Sequence, residues 1–205
     1  FDESENLIEV HSVGRDITDQ YLATEKLQKE LEHKEILLRE LHHRVKNNLQ
    51  IVASLLAIQA NSAASPLQSA FNDARSRVLA MSLVHELLHQ NDSPEIDIHS
   101  YTIQLARSLL TSFGANKVNL LVDAEPKKHF LDLDRAIPLG LIMNELFTNS
   151  LKHAFGHPPT GTITVRMNEF NGKLIFEFSD NGVGFNESLV RPTSLGLKLL
   201  PRLAA

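Results

Sequence analysis

The sequence predicts a multidomain chain in which a long helical hairpin precedes an α+β domain. Three observations carry this reading. Apolar residues recur at alternating four- and three-residue intervals from residue 27 to residue 55, the mark of a helix with a continuous seam. A break rich in small residues, Asn-Ser-Ala-Ala-Ser-Pro at 61–66, separates this stretch from a second apolar-periodic one. Beyond residue 95 helical periods alternate with short strand-like runs, the pattern of an α+β arrangement. The 205 residues suffice for one large core or two small ones.

In chain order, residues 7–13 suggest a short strand after a turn at Glu5-Asn6. One strand does not fold alone, so it calls for a partner. A helix is expected over 16–60, with Asp16 or Thr18 as N-cap. Its seam is Leu27, Leu31, Lys34, Leu38, Leu41, Val45, Asn48, Val52 and Leu55, with two polar interruptions. Past residue 49 the stripe widens to include Leu49, Ile51, Leu56 and Ile58, which suits a bundle. A second helix is expected over 66–90, with Val78, Met81, Leu83, Val84, Leu87 and Leu88 as core candidates. The short connection makes the two helices antiparallel neighbours, and Asn91-Asp92-Ser93-Pro94 ends the hairpin. A helix over 97–113, a strand over 117–123 and a helix over 134–155 follow. Strands over 161–168 and 173–179 join across Asn171-Gly172, a hairpin signal. Another helix is expected from Ser194. The domain limits read as 1–15, 16–92 and 93–205.

The net charge of −5 argues against general nucleic-acid binding. The absence of cysteine excludes disulfides and thiolate metal sites. No apolar run is long enough to cross a bilayer and no signal peptide opens the chain, so a cytoplasmic setting is expected. Because the chain begins at Phe1, a fragment or a processed product is expected.

Residues 41–50, LHHRVKNNLQ, place a histidine pair on the first helix. With Leu41 and Val45 on the seam, His42 flanks it and His43 points away. Lys46, Asn47 and Gln50 lie three, four and seven residues past His43 and share its face. A nucleophile needs solvent access, which selects His43; neutral imidazole is competent near neutral pH. Arg44 and Lys46 would help to tolerate an added negative charge. The plain alternative is a helix with two surface histidines.

Residues 144–155, NELFTNSLKHAF, form an amphipathic helical pattern. Glu145, Asn149 and His153 are spaced four apart on one face, with Lys152 beside them. The Asn149 carboxamide oxygen suits Mg²⁺, whose sites take few protein ligands when phosphates supply the charge. Lys152 and His153 are placed to contact phosphate oxygens. The alternative is a core helix with a polar edge. DNGVGF at 180–185 follows a strand. Gly182 and Gly184 allow close backbone approach or positive φ, and Asp180 is a candidate acceptor for an adenine amino group. Alone, Asp-Asn-Gly is an ordinary turn. SLGLKLL at 194–200 adds Gly196 at an expected helix start, a place for a phosphate. In this order the segments read as an ATP-dependent enzyme that phosphorylates its own histidine.

Over nearly all of residues 25–200 the chain resembles the two-component sensor histidine kinases, most of all the subgroup with an HRVKNNLQ-type acceptor box, close to the HWE kinases. Residues 1–18, FDESENLIEVHSVGRDIT, resemble the last strand and exit of a PAS sensor domain. The likeness implies a coiled-coil linker and a dimerisation and phosphotransfer hairpin, then a catalytic domain of the Bergerat ATP-binding fold, expected to be incomplete at its C-terminus. It implies His43 as phosphoacceptor, Asn149 as Mg²⁺ ligand, Glu145 as the acidic position one turn earlier, Asp180 as adenine reader, and Gly182, Gly184 and Gly196 in the glycine boxes. ATP and Mg²⁺ follow as cofactors. A response regulator receiver domain, an upstream PAS or other sensor domain and a second copy of the chain follow as partners, with no role for nucleic acid.

Three features depart from the commonest members of that family. Arg44 stands where an acidic residue usually follows the acceptor, which leaves Glu40 as candidate base. Residues 185–193 are short for an ATP lid and lack a phenylalanine-rich box, as in this subgroup. Further strands would normally follow the point where the sequence stops. Autophosphorylation also requires the catalytic domain to swing, with a hinge expected at 91–95.

Two other readings remain. One is a non-catalytic phosphotransfer and dimerisation scaffold with a degenerate ATP fold. The other is a zinc metalloprotease, because His85-Glu86-Leu87-Leu88-His89 matches HExxH, although no convincing third ligand follows.

Overall fold

The computed structural model describes residues 15–90, 95–125 and 128–184. The expected strand at 7–13, the break at 91–94 with the hinge assigned there, the segment 185–193, the helix from Ser194 and Gly196 lie outside the described residues. The chain divides into two compact units, residues 1–40 and 41–205.

The first unit is described from residue 15 and consists mainly of the opening turns of α1 (Thr18–Ser62). Asp16 is the cap: its Oδ1 accepts the Thr18 N–H at 2.9 Å. Hydrogen bonds from Thr18 hold the Asp16 carboxyl below the usual carboxylate range. Farther along, Lys29 and Glu25 form an i,i+4 ion pair at 2.6 Å. The seam leucines Leu27 and Leu31 are 68% and 58% exposed, so this single chain leaves the stripe uncovered.

In the second unit α1 ends at Ser62 and α2 (Ser65–Gln90) starts after a two-residue turn. The buried face of α2 is Ala80, Val84 and Leu87, spaced four and three. Of the sequence-expected core set, Leu83 and Leu88 pack on this core from its edge, while Val78 and Met81 are half-buried. Small Ala80 takes a central place because Tyr101 lies over it and donates its hydroxyl to the Ala80 carbonyl at 3.0 Å. Burial pushes the Tyr101 phenol well above its ordinary pKa, so it stays a neutral donor.

Asp97, at the end of β1 (Ile96–Asp97), caps α3 (Ile98–Ser112) by accepting the His99 N–H at 3.1 Å. β2 (Lys117–Glu125) is followed by β3 (Phe130–Leu131), which pairs antiparallel with β1. Asp132 caps α4 (Leu133–Asn149) through the Arg135 N–H at 2.9 Å. β4 (Thr160–Phe170) and β5 (Lys173–Asp180) complete a three-stranded sheet in the order β2-β4-β5. The β2–β4 pair is parallel and the β4–β5 pair antiparallel. Alternation along the central strand β4 buries Ile163, Val165 and Met167. The β4–β5 turn carries positive φ at both Asn171 (52°) and Gly172 (71°), as a type I′ hairpin requires. One core joins α2, α3, α4 and the sheet.

The short strands β1 and β3 have no counterpart in the sequence expectation, and α4 ends differently from it. The helix expected over 134–155 is regular only to Asn149; Ser150–Ala154 widens into a π-helical turn. The cause is tertiary. The Ala154 carbonyl accepts the Val183 N–H at 3.0 Å from the turn after β5, and Phe155 leaves the helix in an extended conformation. Such widened turns recur at functional sites.

Candidate functional site

The histidine pair is split between two faces of α1. His42 is half-buried, with its Nδ1 3.2 Å from Nδ1 of the buried His85 on α2. The ring centroids lie 5.4 Å apart at an angle of 38°. At that distance one nitrogen donates and the other accepts, so at least one ring is neutral. Burial, followed by the charge on His42, pushes the His85 pKa down. Four residues past His42, Lys46 pairs with Glu86 of α2 at 3.0 Å.

This corrects the sequence reading of Lys46, which expected it on the outer face of His43. The four-residue spacing puts Lys46 on the face of His42, where α2 supplies a carboxylate. His43, Asn47 and Gln50 are exposed, as are Glu40 and Arg44.

At the other motif, the end of α4 meets the turn after β5. Ser150 Oγ donates to Asp180 Oδ2 at 2.7 Å, and the Gly182 N–H donates to Asp180 Oδ1 at 3.0 Å. Both carboxylate oxygens are therefore fixed in orientation while keeping lone pairs for a further donor. Asn181 ties the turn to β4: its Oδ1 accepts the Thr162 N–H at 2.7 Å and its own N–H donates to the Thr162 carbonyl at 3.1 Å. A Cβ at Gly182 would lie 2.3 Å from the Ala154 carbonyl oxygen, so only glycine allows this approach. Gly184 takes φ +80°. Asn149, the last residue of α4, is exposed beside Ser150, and His153 is exposed as well.

Glu145 and Lys152 are half-buried, whereas Asn149 and His153 are exposed. Helix α2 runs antiparallel along α4 and supplies Glu145 and Lys152 each with a counterion. Arg77 Nε lies 2.5 Å from Glu145 Oε1, and Lys152 pairs with Asp73. Sequence reasoning missed Arg77 and Asp73. The only signal was an oppositely charged pair four residues apart, which reads as an ordinary helix surface.

The HExxH stretch is otherwise engaged: His85 faces His42 and Glu86 pairs with Lys46. Among the described residues, no group of three or more side chains could hold a metal ion. Also among these, no helix is long and apolar enough to cross a membrane.

Comparison with known proteins adds an independent line. Residues 40–113 match a family model described as "Histidine kinase", and residues 115–202 match one described as "Histidine kinase-like ATPase domain". The chain is 29% identical over 195 residues to the sensor histidine kinase PdtaS of Mycobacterium tuberculosis, covering 93% of this chain and 38% of that protein. It is 28% identical over 176 residues to the blue-light-activated histidine kinase 2 of Erythrobacter litoralis, covering 81% of this chain and 49% of that protein. The chain thus spans less than half the length of these relatives. The solved histidine kinase domain of the Erythrobacter litoralis EL346 blue-light-activated histidine kinase superposes with a TM-score of 0.56 at 25% identity, over 82% of each chain. By these matches the chain is similar to histidine kinases, with a helical part followed by an α/β ATPase-like domain.

Proposed function

We propose that this histidine kinase chain transfers the γ-phosphoryl group of Mg-ATP to its own His43 and passes it on to an aspartate of a response regulator receiver domain. The observation that carries this reading is the junction of α4 with the turn after β5. There Asp180, held by Ser150 and Gly182, stands at the same edge as the exposed Asn149.

The residues present fit a nucleotide and its metal. Asp180 offers an oriented carboxylate to an adenine amino group. Gly182 brings backbone against Ala154 where any side chain would collide. Asn149 offers a neutral carboxamide oxygen, and its partner ligands would be phosphate oxygens. His153 lies four residues on and is exposed. Bound Mg²⁺ supplies charge neutralisation on the phosphates.

In the transfer, a ring nitrogen of His43 forms a bond to the γ-phosphorus as the bond to the bridging oxygen breaks; ADP leaves with the electron pair. The imidazole proton passes to a base, for which Glu40 is our candidate. The loose transition state needs positioning and charge balance more than covalent help. Exposure of His43 meets the access this requires. We propose further that residues 16–92 serve as linker, dimerisation and phosphotransfer hairpin and 93–205 as catalytic domain. The uncovered leucine stripe of α1 supports a homodimer.

Incubation with γ-phosphate-labelled ATP and Mg²⁺ tests the reading. Label lost in acid, retained in base and absent from His43→Ala supports it. Full labelling of His43→Ala moves the acceptor elsewhere, and no labelling of the parent chain favours the scaffold reading.

A further inference from the structure

We propose that the phosphates of a bound nucleotide compete with Asp73 for Lys152, so that α2 reads whether the nucleotide site is filled. This rests on the nucleotide site proposed above and adds its regulation.

Three contacts run along the antiparallel α2–α4 pair. Deepest is Tyr101, whose hydroxyl bonds the Ala80 carbonyl of α2 and whose ring lies against Gly140 of α4. Next is Arg77–Glu145, with side chains 25% and 16% exposed. Outermost is Asp73–Lys152, at 35% and 25%. The first contact is anchored in the core, whereas the last is open enough to exchange partners with a solute.

The charges alternate in register. Asp73 and Arg77, one turn apart on α2, face Lys152 and Glu145. Lys152 follows the exposed Asn149 by three residues and lies on the π-helical turn that closes against Gly182. Among the described residues, a polyphosphate at Asn149 would therefore meet the Lys152 ammonium three residues on and would offer it stronger, charge-assisted acceptors than one carboxylate. Once Lys152 turns to phosphate, Asp73 is left as an unpaired anion beside an anionic ligand. That repulsion pushes the first half of α2 away from α4 and loosens Arg77–Glu145 with it. The far half of α2 carries His85 and Glu86, which contact His42 and Lys46 on the acceptor segment. Filling of the nucleotide site thereby bears on the helix next to His43. Asp73 acts here as a positioning residue; it touches Lys152 and not the reacting atoms.

The test compares Mg-ATP with adenosine, which lacks phosphates, by titration calorimetry on the full chain. Asp73→Asn removes the competing charge, so Mg-ATP should bind about fivefold tighter, the size of a partly exposed ion pair. Adenosine affinity should stay unchanged. In a Lys152→Met background, Asp73→Asn should no longer change Mg-ATP affinity. As a readout on the unaltered protein, Mg-ATP but not adenosine should speed amide hydrogen exchange in residues 68–77. Equal Mg-ATP affinity for the parent and Asp73→Asn, or a gain for adenosine as well, overturns the inference. Should Asp73→Asn not fold, unchanged exchange at 68–77 under saturating Mg-ATP overturns it instead. If the parent binds Mg-ATP and labels His43 while these effects are absent, only the competition is lost. If the parent binds no Mg-ATP, both readings are lost.

Discussion

Ser150 and Asp180, thirty residues apart in sequence, are joined by a 2.7 Å hydrogen bond from the Ser150 hydroxyl to Asp180 Oδ2. The serine is buried at the start of the π-helical turn and the aspartate is exposed at the end of β5. One bond thus fixes the direction of a carboxylate across the seam between α4 and the glycine turn.

If Asp180 reads adenine, Ser150→Ala should weaken Mg-ATP binding by about five- to tenfold, the worth of one ordinary hydrogen bond. Discrimination against Mg-GTP should fall with it, and Ser150→Thr should retain both. Calorimetric titration with the two nucleotides reads the outcome; equal affinities for parent and alanine variant would remove Ser150 from the site.

Gly182→Ala should be costly for a steric reason. Its Cβ would sit 2.3 Å from the Ala154 carbonyl and 2.5 Å from the Ala154 methyl. The turn must withdraw from the helix end, at a cost of about 1–3 kcal/mol. Chemical denaturation should show that loss, together with loss of nucleotide affinity. Gly184, where a Cβ meets nothing within 4 Å but φ is +80°, should be affected through backbone strain alone.

Gly140→Ala tests the anchor between α2, α3 and α4. The new methyl would lie 2.0 Å from the Tyr101 hydroxyl, so helix α4 or the ring must shift and the Ala80 bond must break. Stability should drop by about 1–3 kcal/mol. Tyr101→Phe, which removes only the hydroxyl, should cost about 1 kcal/mol through the loss of one buried hydrogen bond. Urea denaturation distinguishes these from an unchanged parent value.

The His42–His85 pair predicts a pH dependence. Burial, then the charge on His42, lowers the His85 pKa in the folded chain. Below the ordinary histidine value of about 6.5 the unfolded chain therefore binds more protons than the folded one. The contribution to stability is present above that value and is lost as pH falls through the lowered one. Melting temperature should decline on acidification through this window, and His85→Gln should flatten the decline. A parent and a variant with parallel pH profiles would contradict it.

Much of the fold was legible because it follows from local rules. Apolar spacing marked α1 and α2, and Asn171-Gly172 marked a turn whose two positive φ angles the structure contains. The order of the motifs was equally plain, and periodicity alone turned His43 away from the seam. Legibility ended where a residue's partner lay far along the chain. Lys46 was assigned to the outer face, yet Glu86, forty residues on, draws it toward α2. Glu145 was read as an acidic position and Lys152 as a phosphate contact, and the counterions that meet them from α2, Arg77 and Asp73, were not foreseen. A charge signals only that a counterion is wanted; it does not say which one.

The sequence by itself determined the long helices and the longer strands, and which side chains have the chemistry to hold a nucleotide or accept a phosphate. Periodicity and backbone preference act over a few residues, and that is why they can be read in one dimension. The tertiary structure decided which of those side chains stand open and which are paired, because packing α2 against α4 and closing Gly182 onto Ala154 are contacts between distant segments. Those contacts widen the end of α4 into a π-helical turn and place Ser150 under Asp180, and no local preference encodes either.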